Sequence, residues 1–513
     1  MQFSDLVNVS REVAATRSRL KKRALIAATL RRAAAGEIAL AVNYLGGTLP
    51  QGRIGLGPAV VRDALASPPA VAPSLTLADV DAAVARIAGH AGKGSQAARR
   101  ADLLALFGRA TEAERDFLAR LVQGEIRQGA LEGVLVEAIA DAAGVAVDAV
   151  RRAVMLAADP APVAAAALAQ GERGLRKFRL ELMSPVRPML AQPAADIDAA
   201  MQQLGEAVLD YKLDGARVQI HRAGDDVRIF SRGLNDVTER LPEVVAATLA
   251  LPARQLVLDG EVIALKDGRP LPFQVTMRRF GRTSDVAAQR EALPLDIFLF
   301  DVLHAEGDDL LDIPLRERAA ILADLAPATM RVERRLTDEP GAAAAFLAAA
   351  FEAGHEGIMA KAPGSPYAAG SRGAEWLKIK QAHTLDLVVL AAEWGSGRRK
   401  GWLSNLHLGA RDPATGGFVM LGKTFKGLTD RMLEEQTAAL LALETHRAGH
   451  VVHVRPAFVV EIAVSDIQQS PQYPAGLALR FARVKAFRPD KPAAEADTIG
   501  TVRALYVAQP GVA

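Results

Sequence analysis

A lysine followed by a carboxylate, a glycine and an arginine is the part of this sequence whose spacing most readily suggests chemistry. Residues 211–217 read Tyr-Lys-Leu-Asp-Gly-Ala-Arg, which is the pattern K-x-D-G-x-R. Lys212 stands at a predicted strand end, where a neutral amine could act as a nucleophile. The same residues also fit an ordinary hairpin turn, in which Asp214 and Gly215 turn the chain and Lys212 and Arg217 are solvated. The motif therefore predicts a site only if other residues agree with it.

Charged residues recur at the ends of other predicted strands. Glu261 ends the run Leu-Asp-Gly-Glu, Glu356 begins Glu-Gly-Ile-Met, and Lys378 and Lys380 alternate in Trp-Leu-Lys-Ile-Lys. Carboxylates together with ammonium groups suit a phosphate-bearing substrate and a hard metal ion such as Mg2+. Burial and neighbouring cations lower the pKa of an attacking lysine, and Lys378 or Lys380 could be such neighbours. Taken singly, each residue is better explained as a strand end or as part of a solvated face.

Composition limits the classes of protein to which this chain can belong. Of its 513 residues, 50% are hydrophobic and 24% are charged, as in ordinary soluble globular proteins. Residues 1–22 contain no apolar signal core and no long uncharged apolar run follows, so we expect a cytoplasmic protein without a membrane span. The absence of cysteine excludes disulfides and cysteine-ligated zinc or iron–sulfur centres. A net charge of +3 does not by itself indicate nucleic acid.

Three regions of different texture must position the charged residues. Residues 1–180 predict a helical domain, and the proline-marked segment 183–190 follows it as an extended boundary. Residues 181–382 predict an α+β domain that contains the K-x-D-G-x-R motif. Residues 383–513 predict several short strands around one helix, which suits a small barrel such as the OB-fold. The length of the chain agrees with about three domains.

Amphipathic spacing carries the helical prediction for the first region. Residues 111–114 fit a capping box, and apolar residues then repeat on one face over 117–122. Further helical stretches are predicted at 11–35, 59–66 and 131–158. Residues 17–23 form a basic cluster, which we interpret as a solvated helix face in preference to a phosphate contact.

Alternating and buried apolar runs predict the elements of the other two regions. Val218 and Ile220 alternate before a turn at 224–226, and Val227 and Ile229 alternate after it. The other strands of the middle region are predicted at 255–265 and 295–303, with helices at 315–325 and 341–353. The strands of the last region are predicted at 385–391, 406–410, 418–423, 451–454 and 459–464, with one helix near 430–443.

In this order, the charged segments resemble the motifs of the covalent nucleotidyltransferase superfamily. Within that superfamily the chain is most similar to the three-domain ATP-dependent DNA ligases of archaeal and eukaryotic-like type. Residues 212–217 resemble their nucleotidyl-lysine motif. The segments that resemble the later motifs are 231–238, 259–261, 298–302, 356–361, 371–380 and 479–491. The first region resembles the DNA-binding domain of the family more loosely.

The resemblance implies a reaction on ATP and nicked duplex DNA. Lys212 would attack the α-phosphorus of ATP, expel pyrophosphate and hold AMP through a phosphoamide bond. AMP would then pass to the 5′-phosphate of a nick, and the 3′-hydroxyl would displace it and seal the strand. Phe300 would stack on adenine, Glu261 would hold the ribose and the metal, and Glu356 would ligate Mg2+.

The same resemblance assigns the phosphate contacts. Charge on the transferring phosphate would be stabilised by Lys378 and Lys380. Nucleotide or nick phosphates would be contacted by Arg217, Arg232 and Arg372. The leaving pyrophosphate would be oriented, when the small barrel closes, by Arg480, Arg483, Asp490 and Lys491.

Two positions near the lysine need their own interpretation. The residue two before the lysine is Asp210, where this kind of ligase usually has glutamate. The backbone carbonyl of Asp210 would still meet the adenine amino group, whereas a contact from its side chain would be shorter. Gly215 would let the backbone turn close to the nucleotide.

Several alternatives stay open at this point. An RNA ligase or a capping guanylyltransferase shares the superfamily motifs, but the long helical region suits a duplex better than an RNA end. An NAD-dependent DNA ligase normally carries a cysteine-ligated zinc module, and cysteine is absent. A non-catalytic duplex-binding protein would be expected to lose the charged site residues, which are intact here. We expect a monomer, and no sliding-clamp contact can be identified.

Overall fold

The chain divides into two units, which are described separately. The computed structural model describes residues 1–126, 128, 132–282, 285–368, 374–380 and 383–509. One unit is Met1–Leu190 together with Tyr367, whose hydroxyl accepts a hydrogen bond of 3.0 Å from the backbone N–H of Met189. The other consists of Ala191–Pro366 and the chain from Ala374 onwards. Among the described residues, none of the helices combines the length and apolar character needed to cross a lipid bilayer.

The first unit is helical in its described part, as the sequence predicts. Its helices are α1 Phe3–Ala15, α2 Arg19–Arg32, α3 Ile38–Gly46, α4 Pro58–Leu65, α5 Leu77–Gly89, α6 Ser95–Arg109, α7 Glu112–Val122, α8 Glu132–Ala143, α9 Val147–Ala157 and α10 Pro160–Leu175. The predicted capping box is confirmed, because the Glu114 carboxylate accepts from the backbone N–H of Thr111 at 2.8 Å. The apolar face of α7 is buried, and Phe117 packs edge-on against Phe3 with ring centroids 5.7 Å apart.

Two of the predicted helical stretches are each divided into two helices. The stretch 11–35 breaks after α1, where Ser18 is extended and its hydroxyl caps α2 by accepting from the N–H of Lys21. The stretch 131–158 breaks between α8 and α9, where Gly144 has φ +66°. A left-handed glycine ends a helix at little steric cost, and apolar periodicity alone does not reveal such breaks.

The basic cluster at 17–23 is partly neutralised by α8. Arg19 forms an ion pair of 2.7 Å with Glu137, and Arg23 forms one of 2.5 Å with Asp141. The side chain of Arg19 is still 61% exposed. Residues 17–21 are all exposed, which agrees with the interpretation as a solvated helix face, and two of the cations also form ion pairs between α2 and α8.

The second unit begins with two five-stranded sheets and the helices that cover them. The helices are α11 Ile197–Leu204, α12 Pro242–Leu249, α13 Phe273–Phe280, α14 Val286–Ala292, α15 Leu315–Leu325 and α16 Pro340–Glu352. The strands are β1 Gln192–Pro193, β2 Ala207–Lys212, β3 Ala216–Ala223, β4 Asp226–Ser231, β5 Gln255–Ile263, β6 Leu265–Lys266, β7 Arg269–Pro270, β8 Asp296–Ala305, β9 Asp308–Asp309, β10 Arg334–Thr337, β11 Gly357–Lys361 and β12 Trp376–Lys380. This arrangement confirms the α+β prediction.

The K-x-D-G-x-R motif connects the two sheets. One sheet has the order β1-β12-β11-β2-β10, and the other has the order β4-β3-β5-β8-β9. Lys212 ends β2 in the first sheet, and Ala216 begins β3 in the second. The motif is therefore not the turn of a hairpin, because the strands on its two sides do not pair with each other.

The last part of the second unit is rich in strands and contains a half-barrel sheet. Its strands are β13 His383–Trp394, β14 Leu403–Asp412, β15 Gly417–Thr424, β16 Glu444–Ala448, β17 Val451–Val454, β18 Val459–Val464, β19 Asp466–Gln469, β20 Leu477–Arg480 and β21 Arg483–Phe487. The long strand β13 pairs with β14, β17 and β18, which wraps the sheet around its core. The predicted helix is present as α17 Asp430–Ala442, and a second one, α18 Ile499–Val507, was not predicted.

The predicted domain boundaries at 180 and 382 stay predictions. The first unit extends to Leu190, which adds the proline-marked segment to the helical region. The second boundary falls at residues 381–382, which lie outside the described part of the chain.

Candidate active site

Lys212 ends β2 in the first sheet, where β11 lies beside β2 and β12 lies beside β11. Its register partner on β11 is Gly357, which also faces Lys380 of β12. The preceding residue, Glu356, donates its backbone N–H to the carbonyl of Lys212 at 3.2 Å. One oxygen of the Glu356 carboxylate contacts the ammonium group of Lys212, and the other contacts that of Lys380. The sheet thus aligns the two predicted lysines on either side of the predicted metal ligand.

Electrostatics keep the Glu356 carboxylate ionised. Burial opposes ionisation, but the ammonium groups of Lys212 and Lys380 together lower the pKa of Glu356 below its usual value. For Lys380, burial and the neighbouring Lys212 lower the pKa, and Glu356 partly offsets that effect. The side chain of Glu356 is only 15% exposed, so these charges interact with little screening by water.

Two glycines allow the strands to approach closely around this lysine. A Cβ on Gly357, which has φ +148°, would lie 2.1 Å from the carbonyl oxygen of Ile379. A Cβ on Gly215 would lie 2.3 Å from the carbonyl oxygen of Val262. Gly215 is therefore required by the approach of β5, a reason different from the predicted turn towards a nucleotide, and it does not have a positive φ.

Glu261 lies on β5 opposite Arg217 of β3. Burial raises the pKa of the Glu261 carboxyl to about 7, although Lys212 and Arg217 act in the opposite direction. Arg217 forms a two-pronged pair with the buried carboxylate of Asp259, with Nε–Oδ1 at 2.9 Å and Nη2–Oδ2 at 2.6 Å. Its guanidinium is thereby held beside the rings of Phe300 and Trp376.

Phe300 is a partly exposed ring on β8 with cations on its sides. The guanidinium of Arg217 lies 5.2 Å from its ring centroid, and the ammonium of Lys361 lies 4.8 Å from it. Trp376 packs against it edge-on, with ring centroids 6.3 Å apart. An accessible aromatic face beside cations is a suitable surface for stacking a nucleotide base.

The Asp210 carboxylate is engaged on both oxygens. Arg334 of β10 donates to it through Nε at 2.5 Å and Nη2 at 2.8 Å, and the ammonium of Lys361 lies 2.6 Å from Oδ2. Burial would raise the pKa of Asp210, but Arg334 and Lys361 lower it below its usual value. Sequence reasoning missed Arg334, because it belongs to no motif and faces Asp210 only through the pairing of β10 with β2.

Arg480 of β20 contacts the K-x-D-G motif directly. Its Nη1 lies 2.6 Å from Oδ2 of Asp214 and 3.4 Å from Oδ2 of Asp466. Its guanidinium also lies 4.0 Å from the ring centroid of Phe273 on α13. A cavity of about 150 Å³ adjoins this contact, and its lining includes Asp214, Glu356 and Arg480.

The other predicted residues are less closely grouped. Lys378 is half-buried and lies two residues before Lys380 on β12. Arg232 is exposed after β4, and Arg483 is exposed at the start of β21. Arg372 lies outside the described residues.

Asp490 and Lys491 belong to a separate group of charges in the strand-rich part. Arg488 pairs with Asp490 at 2.7 Å and with Asp386 at 2.9 Å. Lys491 also pairs with Asp386, at 2.7 Å. In this arrangement both residues are therefore engaged with partners of their own domain.

Only a sparse set of metal ligands is available at the site. Within the described ranges, no three His, Cys, Asp or Glu side chains come together as a metal-binding group. The predicted carboxylates, Glu261 and Glu356, leave most coordination positions to other donors. Such a set fits Mg2+, which usually takes one or two carboxylates together with substrate phosphates and water.

Family models match three stretches of the chain. The model described as DNA ligase N terminus matches residues 58–140, and the ATP dependent DNA ligase domain matches residues 188–380. The ATP dependent DNA ligase C terminal region matches residues 399–491.

Similar proteins cover almost the whole chain. A probable DNA ligase of Anaeromyxobacter sp. (strain Fw109-5) is 60% identical, and the alignment covers 99% of each chain. A probable DNA ligase of Mycobacterium avium (strain 104) is 57% identical, covering 98% of this chain and 97% of the relative. The solved structure Pmar-Lig_PreS3 has a TM-score of 0.63 at 20% identity and covers 94% of this chain and 99% of its own, which is a likeness of fold.

Proposed function

This chain belongs to the ATP-dependent DNA ligase family, and we propose that it seals nicks in duplex DNA through a lysyl-AMP and a DNA-adenylate intermediate. The observation that carries the proposal is the contact of both Lys212 and Lys380 with the single carboxylate of Glu356. It brings the proposed nucleophile, a second cation and a carboxylate together, with side chains that are each less than one-third exposed. Phosphoryl transfer depends mainly on such positioning and charge stabilisation.

In the first step, the neutral amine of Lys212 attacks the α-phosphorus of ATP. A P–N bond forms, the P–O bond to pyrophosphate breaks, and the amine gives up a proton to water. Lys380 and Lys378 on β12 offset negative charge on the phosphate during transfer. Lys212 must leave its ion pair with Glu356 before it can attack, since an ammonium group is not a nucleophile.

In the later steps, AMP moves from the protein to DNA and is then released. An oxygen of the 5′-phosphate at the nick attacks the phosphorus of lysyl-AMP, so that the P–N bond breaks and a pyrophosphate linkage forms. The 3′-hydroxyl then attacks the 5′-phosphate, loses its proton and displaces AMP. The products are a sealed phosphodiester and free AMP, so each joint consumes one ATP.

The nucleotide would be held by the residues around the lysine. Phe300 stacks on adenine, the backbone carbonyl of Asp210 accepts from the adenine amino group, and Glu261 accepts from a ribose hydroxyl. Phosphates of the nucleotide or nick are contacted by Arg217, Arg232 and Arg372.

Glu261 and Glu356 would hold Mg2+ together with substrate phosphates. When bound, the ion supplies neutralisation of charge on the phosphate oxygens. Glu356 would exchange its contacts with Lys212 and Lys380 for this role, which frees Lys212 at the same time.

Pyrophosphate would be oriented by Arg480, Arg483, Asp490 and Lys491 of the strand-rich part. Arg480 already reaches Asp214 beside the lysine. Asp490 and Lys491 would first have to leave Arg488 and Asp386. We further propose that the protein works as a cytoplasmic monomer in replication, repair or recombination of DNA.

The proposal is tested by measuring the sealing of a nicked DNA duplex with ATP. The comparisons are the same duplex with NAD in place of ATP, and a nicked RNA duplex with ATP. We expect ATP-dependent sealing of DNA and acid-stable labelling of the protein from α-labelled ATP. Lys212→Arg should abolish both, whereas Lys266→Arg, at an exposed lysine of β6, should change neither. Labelling that survives Lys212→Arg would contradict the assignment of the nucleophile, and preferential sealing of RNA would contradict the substrate.

A further inference from the structure

Three buried or half-buried charged residues lie next to Phe300, whose ring is proposed to stack on adenine. Asp210 and Lys361 are each 1% exposed, and the side chain of Arg334 is 20% exposed. Arg334 and Lys361 both bond to the carboxylate of Asp210. We call these three residues the ion triad. They come from three neighbouring strands, β2, β10 and β11.

The ion triad is bonded to Phe300 by two different contacts. Nη2 of Arg334 donates to the carbonyl oxygen of Phe300 at 2.7 Å. The ammonium of Lys361 lies 4.8 Å from the Phe300 ring centroid and 4.2 Å from that of Trp376. One contact holds the backbone of Phe300, and the other holds its ring by cation–π attraction.

These contacts cross from one sheet to the other. Asp210, Arg334 and Lys361 belong to the sheet that carries Lys212, whereas Phe300 lies on β8 of the second sheet. This bridge therefore helps to fix the distance between the nucleophile and the stacking ring, together with the packing of Trp376 of β12 against Phe300 and the chain connection through residues 213–215. The two hydrogen bonds from the Arg334 guanidinium to the Asp210 carboxylate fix both the distance and the orientation of the guanidinium, whereas a single contact from an ammonium group fixes only the distance.

We propose that Arg334 is a positioning residue for ATP binding. The Asp210 carboxylate fixes its guanidinium, and the guanidinium in turn holds Phe300 where the ring can stack on adenine. This inference rests on the proposed function, because it assumes that Phe300 stacks on adenine. It also explains the aspartate at position 210. Both oxygens of that carboxylate are used within the ion triad, so Asp210 acts on the nucleotide only through its backbone carbonyl and through Phe300.

Loss of the Arg334 fork should weaken nucleotide binding more than chemistry. A displaced ring should lose part of its stacking on the base, so KM for ATP should rise about tenfold. The labelling rate of Lys212 at saturating ATP should change by less than about twofold, because Arg334 does not contact Lys212, Lys380 or Glu356. Joining of a nick that already carries AMP needs no ATP and should be unaffected.

The experiment compares Arg334→Met, Arg334→Lys and the control Arg335→Met in labelling with ATP. Arg335 is the next residue of β10 and is exposed, so the control removes the same charge from the opposite face. Arg334→Lys retains the charge but loses the fork, and it replaces the methionine variant if that variant unfolds. We expect KM for ATP to rise in both Arg334 variants and to stay at the wild-type value in Arg335→Met.

The outcomes separate this inference from the proposed function. If the wild-type protein is neither labelled by ATP nor able to join a nick that already carries AMP, the proposed function fails. If the wild type is labelled but Arg334→Lys binds ATP with an unchanged KM, the positioning role of Arg334 is refuted. An equal loss in KM, in saturating rate and in joining of the adenylated nick would also refute it, since that pattern indicates general damage to the fold.

Discussion

The buried pair of Arg318 and Asp301 should be the main electrostatic support of the strand that carries Phe300. Both side chains are 0% exposed, and Arg318 donates to the Asp301 carboxylate through Nε at 2.7 Å and Nη2 at 3.0 Å. Nη1 of Arg318 also donates to the carbonyls of Ile313 and Ser365. Among the residues that the structure describes, Arg318→Met would leave the Asp301 carboxylate with one hydrogen-bond donor, the N–H of Val302. We expect this substitution to be strongly destabilising.

The expected magnitude follows from the groups left without partners. Removing one member of a buried ion pair costs about 3–5 kcal/mol, because the other charge stays buried. Two backbone carbonyls also lose a donor, although methionine fills much of the volume. We therefore expect a loss of about 4 kcal/mol in the stability of the region around β8. The double variant Asp301→Asn with Arg318→Met should recover about half of this loss, because the uncompensated charge is gone.

Hydrogen exchange of the β8 amides, together with urea unfolding, measures this loss in the full chain. Arg316→Met is the matched control on the same helix, since its partner Glu206 is 3.4 Å away and the two side chains are 55% and 42% exposed. An exposed pair of this kind contributes about 0–1 kcal/mol. If Arg318→Met destabilised β8 no more than Arg316→Met does, the reasoning from burial would be refuted.

Two further predictions concern the contact between Arg480 and Asp214 and the dependence of stability on pH. Arg480→Met loses the ion pair with Asp214, so it should slow labelling of Lys212 by ATP about tenfold and leave the joining of an adenylated nick unchanged. Arg455→Met, at an exposed arginine, is the control. An equal loss in labelling and in joining would contradict a role of Arg480 in closure. Burial, with a smaller effect of His304, lowers the pKa of His221 to about 4, below its unfolded value of about 6.5. The free energy of unfolding should therefore fall as pH drops from about 6.5 towards 4. Between pH 7.5 and pH 5, His221→Leu should lose about 2 kcal/mol less of this free energy than the wild type does, as measured in unfolding experiments. Parallel pH curves for the wild type and His221→Leu would contradict this assignment.

The sequence predicts candidate site residues where charged residues belong to short motifs that follow one another in a recognisable order. Lys212, Glu356 and Lys380 are predicted because their segments follow the order of the motifs in the family that the chain resembles; taken singly, each residue also fits a structural role. Their alignment on three adjacent strands agrees with that prediction. The roles of these residues stay predictions until the labelling experiment is done.

Other features depend on pairings that no local pattern encodes. Arg334 reaches Asp210 across 124 residues of sequence, through a register that only the assembled sheet defines. The breaks within 11–35 and 131–158 were missed because the apolar spacing continues on both sides of each break. The helix α18 was missed because its short and weakly amphipathic sequence resembles a tail.

The order of strands around Lys212 also makes nucleotide transfer a sensitive indicator of correct folding. Glu356 is separated from Lys212 by 144 residues, yet the proposed reaction needs the two residues to be neighbours across paired strands. A slip of one residue in that pairing would turn the lysine to the opposite face of the sheet. A chain that becomes labelled by ATP has therefore completed this long-range pairing, so labelling during refolding would report formation of the native sheet, which measurements of helix content cannot distinguish.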